Sequence, residues 1–388
     1  MAFMDTAVPP ETAAHAPDTA QSARKVTPEI TDAVKKARRE LVERLVDQAA
    51  KGVAPWNKKL DPAQGERLPY TPFSRTDTHD AIRGVNGIQL ASVAQAKGYK
   101  DPRWISRLNM QERGWSFKTG EKGVNIEYYT PKGKERAQLK HDSQGNAVFD
   151  EDGKQVKETV TLDKPTVSAI QMFNMEQVAE GKFSKTPIPD LETAPRVPAL
   201  AELNKVFAQS GIETLDAQPG KPSHISAKGK GAIYLSPQDK ADDVAKAQLM
   251  VRGLAAKALT LDTAGGWSQS DSDRTKFIKT ELRVELATRI LSDKFAIPTK
   301  PERLNDLAEH IAPILNQTNS KTQEKDQIRF ATRDADRAIT RVLEGKWERS
   351  QEWSRNQEQQ HEQEQEQPEP RQAKAPAKGR GKSRGAER

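Results

Sequence analysis

Apolar positions along the chain change their period several times, and each change marks an element. Ile30, Val34, Ala37, Leu41 and Leu45 recur at helical spacing. Thr27, Pro28 and Glu29 supply a cap, a first-turn proline and a dipole-matched carboxylate, and Gly52 supplies a stop. The opposite face carries Lys35, Lys36, Arg38 and Arg39, a solvated charged face. Helical patterns return at about 87–97 and 105–113. The stretches 115–118 and 124–130 read as a strand pair around a tight turn flanked by Gly120 and Gly123. Residues 131–160 are charged and glycine-dotted and read as an extended hairpin or insertion; a strand resumes at 167–174. Beyond residue 199 the pattern is mostly helical, at 242–261, 272–295, 303–317 and 325–344, with a strand or hairpin at 224–235.

The expected fold class is α+β, with disordered tails. Residues 1–25 are rich in Ala, Pro and Thr without apolar periodicity and are expected to be disordered. A first domain is expected at 26–185, a proline-rich linker at 186–198 and a helix-rich second domain at 199–347. Residues 348–388 turn Gln/Glu-rich and then basic, with nothing to build a core. The long connection 53–83 exceeds what compact domains use without a functional reason.

The 388-residue chain carries a formal net charge of +7, which suits a polyanionic partner. Cysteine is absent, so disulfide scaffolds and cysteine-rich zinc sites are excluded. No apolar run approaches the roughly 20 residues of a membrane span, and the N-terminus lacks the basic-then-apolar order of a signal peptide. A cytoplasmic protein without membrane contact is expected.

The segment 56–129 interleaves rings with cations. Its rings are Trp56, Tyr70, Phe73, Tyr99, Trp104, Trp115, Phe117, Tyr128 and Tyr129. Arg67, Arg75, Arg83, Lys97, Lys100, Arg103, Arg107, Arg113, Lys118 and Lys122 run among them. Bases of an unpaired strand stack on rings while phosphates meet cations, without sequence readout. Rings of this kind also build cores, because each buries a large apolar area. Of Trp104 and Trp115, at least one is expected to act as a platform.

Five motifs in this order carry a family likeness: Trp56; Tyr70 after a proline-containing loop; Arg83-Gly84-Val85-Asn86; Gly98 to Trp104; and Gly114 to Gly123. Together they resemble the N-terminal single-stranded-DNA-binding domain of ArdC-type antirestriction proteins. The same domain type heads some plasmid primases and many conjugative-element proteins. Ile82 stands where that family usually has an aromatic residue. The resemblance implies sequence-tolerant binding of single-stranded DNA in a mobile-element protein, linked to antirestriction or transfer. The expected surface is Trp56, Tyr70, Arg83, Asn86, Arg103, Trp104, Trp115, Lys118 and Lys122.

The same resemblance implies a zincin-like metallopeptidase fold for the second domain. A peptidase of that class carries His-Glu-x-x-His on a helix. Here Arg252, Gly253 and Ala256 stand at the ligand and base positions, and Glu281 and Glu285 lie on the helix that completes such sites. The Glu pair reads as helix-surface salt bridging, with Arg289 at i+4 of Glu285. The six histidines show no pair at ligand spacing; His79 beside Asp77 and Asp80 reads as a turn. No phosphate loop and no nucleophile elbow occurs. No catalytic residue, metal, cofactor or small-molecule substrate is expected. The alternative is a pseudo-peptidase that binds a host protein, such as a restriction subunit.

Overall fold

In the computed structural model, the described residues are 28–72, 80–139, 144, 148–150, 156–181, 184–191, 194–226, 231–260, 274–299, 308–318 and 325–347. The expected disordered ends and the Asp77–His79 part of the local cluster lie outside them. The fold is α+β, as its pattern implies, and no helix among the described residues is long and apolar enough to cross a membrane.

The chain forms two compact units, one of residues 1–36 with 127–170 and one of residues 37–126 with 171–388. In the first unit, strand β1 (Glu29–Ile30) pairs in parallel with the start of β7 (Thr166–Asn174). Glu29 N donates to Pro165 O at 2.8 Å and Thr31 N to Val167 O at 3.1 Å. These bonds hold residues 29–30 extended, so helix α1 starts at Asp32 and runs to Ala50, not from Pro28 as the capping signals suggest. Strands β5 (Glu135–Leu139) and β6 (Lys157–Thr161) form the expected antiparallel hairpin.

In the second unit, helix α2 (Gly84–Lys97) interlocks with α1: Arg44 Nε donates to Ser92 Oγ at 2.8 Å and Gln48 Nε2 to Ser92 O at 2.9 Å. Gly87 is required there, because a Cβ would lie 2.0 Å from Ile82 O. Strand β2 (Trp104–Ser106) pairs antiparallel with the end of β7, and the short helix α3 (Arg107–Glu112) follows, capped by Ser106. Strand β3 (Trp115–Phe117) pairs with β8 (Val178–Glu180), not with β4 (Val124–Thr130) across the Gly120–Gly123 turn as its spacing suggests. Gly123 is needed for another reason: a Cβ there would lie 2.4 Å from Gln171 Cγ and 2.8 Å from Phe173 Cζ.

After α4 (Leu200–Ser210), β9 (Glu213–Asp216), β10 (His224–Ser226) and β11 (Ala232–Leu235) form a three-stranded sheet in the order β10-β11-β9. The antiparallel β10–β11 pair matches its pattern; the parallel β9–β11 pair had no sequence signal. Then come α5 (Pro237–Ala241), α6 (Asp243–Thr260), α7 (Arg274–Phe295), α8 (Ala308–Leu315) and α9 (Gln327–Glu344).

One core joins both sides of the proline-rich segment. Leu41, Leu45, Ala49 and Trp56 pack with Leu254, Leu291, Phe295 and Ile339. A smaller cluster gathers Ile105, Met110, Trp115, Phe173, Met175 and Val178. The proline-rich segment itself is fastened. Trp115 Nε1 donates to Thr186 O at 2.7 Å, and Arg103 Nη1 donates to Pro189 O and Asp190 O at 2.8 and 2.9 Å. Trp56 is fully buried in the larger core. Trp56→Ala is therefore expected to cost about 3–5 kcal/mol of stability, read as a lowered denaturant midpoint of the whole chain. An unchanged midpoint would show that Trp56 is not a core residue.

Candidate nucleic-acid interface and the Arg252 ion cluster

Four of the rings expected to stack on bases face inward instead. Trp56 and Trp104 are 0% exposed, Trp115 4% and Tyr70 5%. A buried face cannot meet a base, so neither Trp104 nor Trp115 is a platform as the chain stands. Arg103 is buried too. Its Nε and Nη2 grip Asp101 at 2.7–3.1 Å while Nη1 holds the proline-rich segment, so all three of its nitrogens are engaged by the fold. Arg83 is exposed and lies 3.6 Å from Asp336; Asn86 is half-buried. Of the expected surface, Lys118 and Lys122 reach solvent freely.

Beside them is a ring of the Gly114–Gly123 motif that the expected surface left out. Phe117 is 40% exposed and stacks in parallel on Phe173, with centroids 5.3 Å apart. Lys118 Nζ donates to Glu176 O at 2.7 Å, and Glu176 Oε1 accepts from the backbone N–H groups of Lys100 and Asp101, the latter at 2.7 Å. Gln177 Nε2 donates to Glu121 Oε2 at 2.7 Å. Burial, with the Glu121 and Glu176 carboxylates beside it, pushes the Tyr99 hydroxyl above the usual range. Glu121 and Glu176 thus tie the 117–122 turn to the 99–101 loop and present Phe117, Lys118, Lys122 and Lys100 on one surface.

The 99–101 loop also borders a recess of ≈ 310 Å³. Its other wall, residues 58–69, is pinned to α7. Arg289 donates to Lys58 O, Asp293 Oδ1 accepts from Leu68 N at 3.2 Å, and Leu60 N bonds Thr299 Oγ1 at 2.9 Å. Arg67 lies over the Tyr70 ring at 4.2 Å. Lys58 was missed in the sequence, because only the tertiary fold brings it to the 99–101 loop.

Helix α7 carries four charged residues at i, i+4 spacing: Glu281, Glu285, Arg289 and Asp293, all buried. The Glu pair is therefore not the surface bridge its spacing suggests. Arg252 of α6 enters between the two carboxylates, with Nη2 on Glu281 Oε2 and Nη1 on Glu285 Oε2 at 3.0 Å. A guanidinium carries only donors and cannot ligate a cation. The donor set around it is two carboxylates without an imidazole, and no group of three or more His, Asp or Glu that could hold a metal occurs among the described residues. These residues do not fit a catalytic zinc, which takes three protein ligands and an open position. Position 253 is set by packing: a Cβ would start 3.1 Å from Ile233 Cδ1, on the sheet. A cleft of ≈ 260 Å³ remains beside Arg252 and Glu285, walled by Ser223, His224 and Ile225 at the edge strand β10.

Burial pushes the Glu285 carboxyl upward, and Arg252 and Arg289 oppose that push. A carboxyl raised on folding favours the folded state at low pH and loses that contribution as pH climbs through its raised value. Arg252→Gln removes the main opposing charge. It is expected to cost about 3–5 kcal/mol at neutral pH, with the deficit shrinking in mild acid as the Glu285 carboxyl protonates. Urea melts of both proteins across pH check this; a deficit independent of pH would contradict it.

Comparisons with known proteins show what this chain is similar to. A family model for the N-terminal domain of anti-restriction factor ArdC matches residues 35–173. Two proteins of Escherichia coli, both named DNA primase TraC, are each 28% identical to this chain. One aligns over 81% of this chain and 27% of its own length, the other over 80% and 20%. The chain thus spans about a quarter or less of these relatives. The solved structures of antirestriction ArdC from plasmid R388 share the fold. The metal-free form has a TM-score of 0.52 at 17% identity, covering 80% of this chain and 97% of that one. The Mn(II)-bound form has a TM-score of 0.51 at 16% identity, covering 79% and 97%. Residues 35–173 are thus similar to the ArdC N-terminal domain, and the chain shares the fold of the ArdC structures.

Proposed function

We propose that this chain binds single-stranded DNA without reading its sequence, as a cytoplasmic component of a plasmid-borne or conjugative antirestriction or transfer system. The observation that carries the reading is the surface of Phe117, Lys118, Lys122 and Lys100, held together through Glu121 and Glu176. Phosphates sit against the lysines and a base stacks on the exposed Phe117 ring, the two sequence-tolerant contacts an unpaired strand needs. The names of the relatives, an antirestriction protein and a primase, agree with a DNA partner. The chain acts by coating a strand, without catalysis, cofactor or small-molecule substrate.

A second reading rests on a different observation. The cleft beside edge strand β10 persists although Arg252 and Gly253 hold none of the peptidase residues. An edge strand with unpaired backbone groups can accept an extended segment of another protein. In that reading a host protein, such as a restriction subunit, docks at the cleft and DNA binding is secondary.

The readings separate on titration of the full chain with single-stranded oligonucleotides of mixed sequence, followed by fluorescence anisotropy. Affinity is expected to fall with added salt. Lys118→Glu with Lys122→Glu is expected to lower the salt slope by about one for each phosphate that a lysine no longer meets. Phe117→Ala is expected to cost about 1–3 kcal/mol of binding. Salt-independent binding, or none, would overturn the first reading.

A further inference from the structure

The recess between residues 58–69 and 99–104 has a composition that no part of the fold requires. At ≈ 310 Å³ it stands at the lower end of the range for small-molecule sites. Its acidic members are already compensated. Asp101 is held by Arg103, and Glu66 accepts from Asp61 N at 2.8 Å and lies close enough to Arg289 to act on it electrostatically. Lys59 is paired with Asp61 at 3.0 Å. Lys58 and Lys100 line the same recess, are exposed, and have no ion-pair partner among the described residues. The recess therefore offers uncompensated positive charge at its rim.

A second observation is independent of charge. Trp104 lines the recess, is 0% exposed, and its Nε1 has no acceptor among the described residues. A buried N–H without an acceptor is unfavourable and rare in folded proteins. An indole nitrogen can only donate, so what would relieve the cost is an acceptor from a ligand. Tyr99 stands at the same wall, edge-on to Trp104 with centroids 6.2 Å apart, and adds a half-buried ring.

Resting on the strand-binding reading, we infer that this recess seats one nucleotide of the bound strand. The phosphate lies against Lys58 and Lys100. The base enters beside Tyr99, and a small opening of that wall on binding brings a carbonyl or ring nitrogen to the edge of Trp104 at Nε1, which is closed to solvent in the unbound chain. Every base carries such acceptors, so the contact tolerates sequence. The Phe117 surface and the recess adjoin through Lys100, so one strand passes from stacking in the open to a seated nucleotide.

The test uses the full chain, a fluorescent thymidine oligonucleotide and thymidine monophosphate as probes. Variants are Lys58→Glu, Lys100→Glu and Trp104→Phe, with Lys205→Glu on the exposed face of α4 as control. Thermal melts confirm that each is folded; the two lysine changes are on the surface, so they serve if Trp104→Phe does not fold. The lysine variants are expected to weaken oligonucleotide binding uniformly across sequences and to lower the salt slope by about one each. Trp104→Phe is expected to weaken both probes, and Lys205→Glu neither. The monophosphate is expected to compete with the oligonucleotide. Oligonucleotide binding that is unchanged in all three recess variants overturns the recess and leaves the strand reading standing. Monophosphate binding that depends on Lys58 and Lys100, with no oligonucleotide binding, keeps the recess and removes the strand reading. Binding of neither probe removes both.

Discussion

Four buried charges on one face of α7 organise the larger unit. Glu281, Glu285, Arg289 and Asp293 lie one turn apart; the two glutamates share Arg252 of α6, Arg289 reaches the backbone at Lys58, and Asp293 reaches the backbone at Leu68 with Arg196. Ionised groups leave water only if their charge is met inside. Burial pushes the Glu285 and Asp293 carboxyls up and the Arg289 guanidinium down, so each charge depends on the partner it holds. The spine thereby fixes the register of α6 and of the 58–69 segment against α7.

Both candidate sites grow from that spine. At one end the carboxylates close on Arg252 and border a cleft walled by β10. At the other, Arg289 and Asp293 hold the loop that walls the basic recess. The same helix holds the ion cluster around Arg252 and one wall of the basic recess.

The rings of the N-terminal motifs serve this scaffold. Trp56 joins the core formed with α6, α7 and α9; Trp115 and Arg103 fasten the proline-rich segment; Tyr70 bridges to Arg103. Contact with solvent falls to smaller parts between them, Phe117, Lys118, Lys122 and Lys100. Motif residues recur for packing as readily as for binding, and spacing alone does not distinguish the two.

The sequence by itself determined the α+β class, most helix positions, a hairpin or insertion at 131–160, a strand or hairpin at 224–235, the ArdC likeness and the absence of a His-Glu-x-x-His set. All of these rest on local periodicity or on the residue types present. The tertiary structure decided what depends on distant partners. Pairing with β7 holds Glu29–Ile30 in a strand, and pairing with β8 draws β3 away from the turn it precedes. Burial turns four expected platform rings into core and a surface-looking Glu pair into a closed ion cluster around Arg252. A ring or a carboxylate has the same local pattern whether it faces water or another helix, and only long-range packing sets its solvent and its counter-charge.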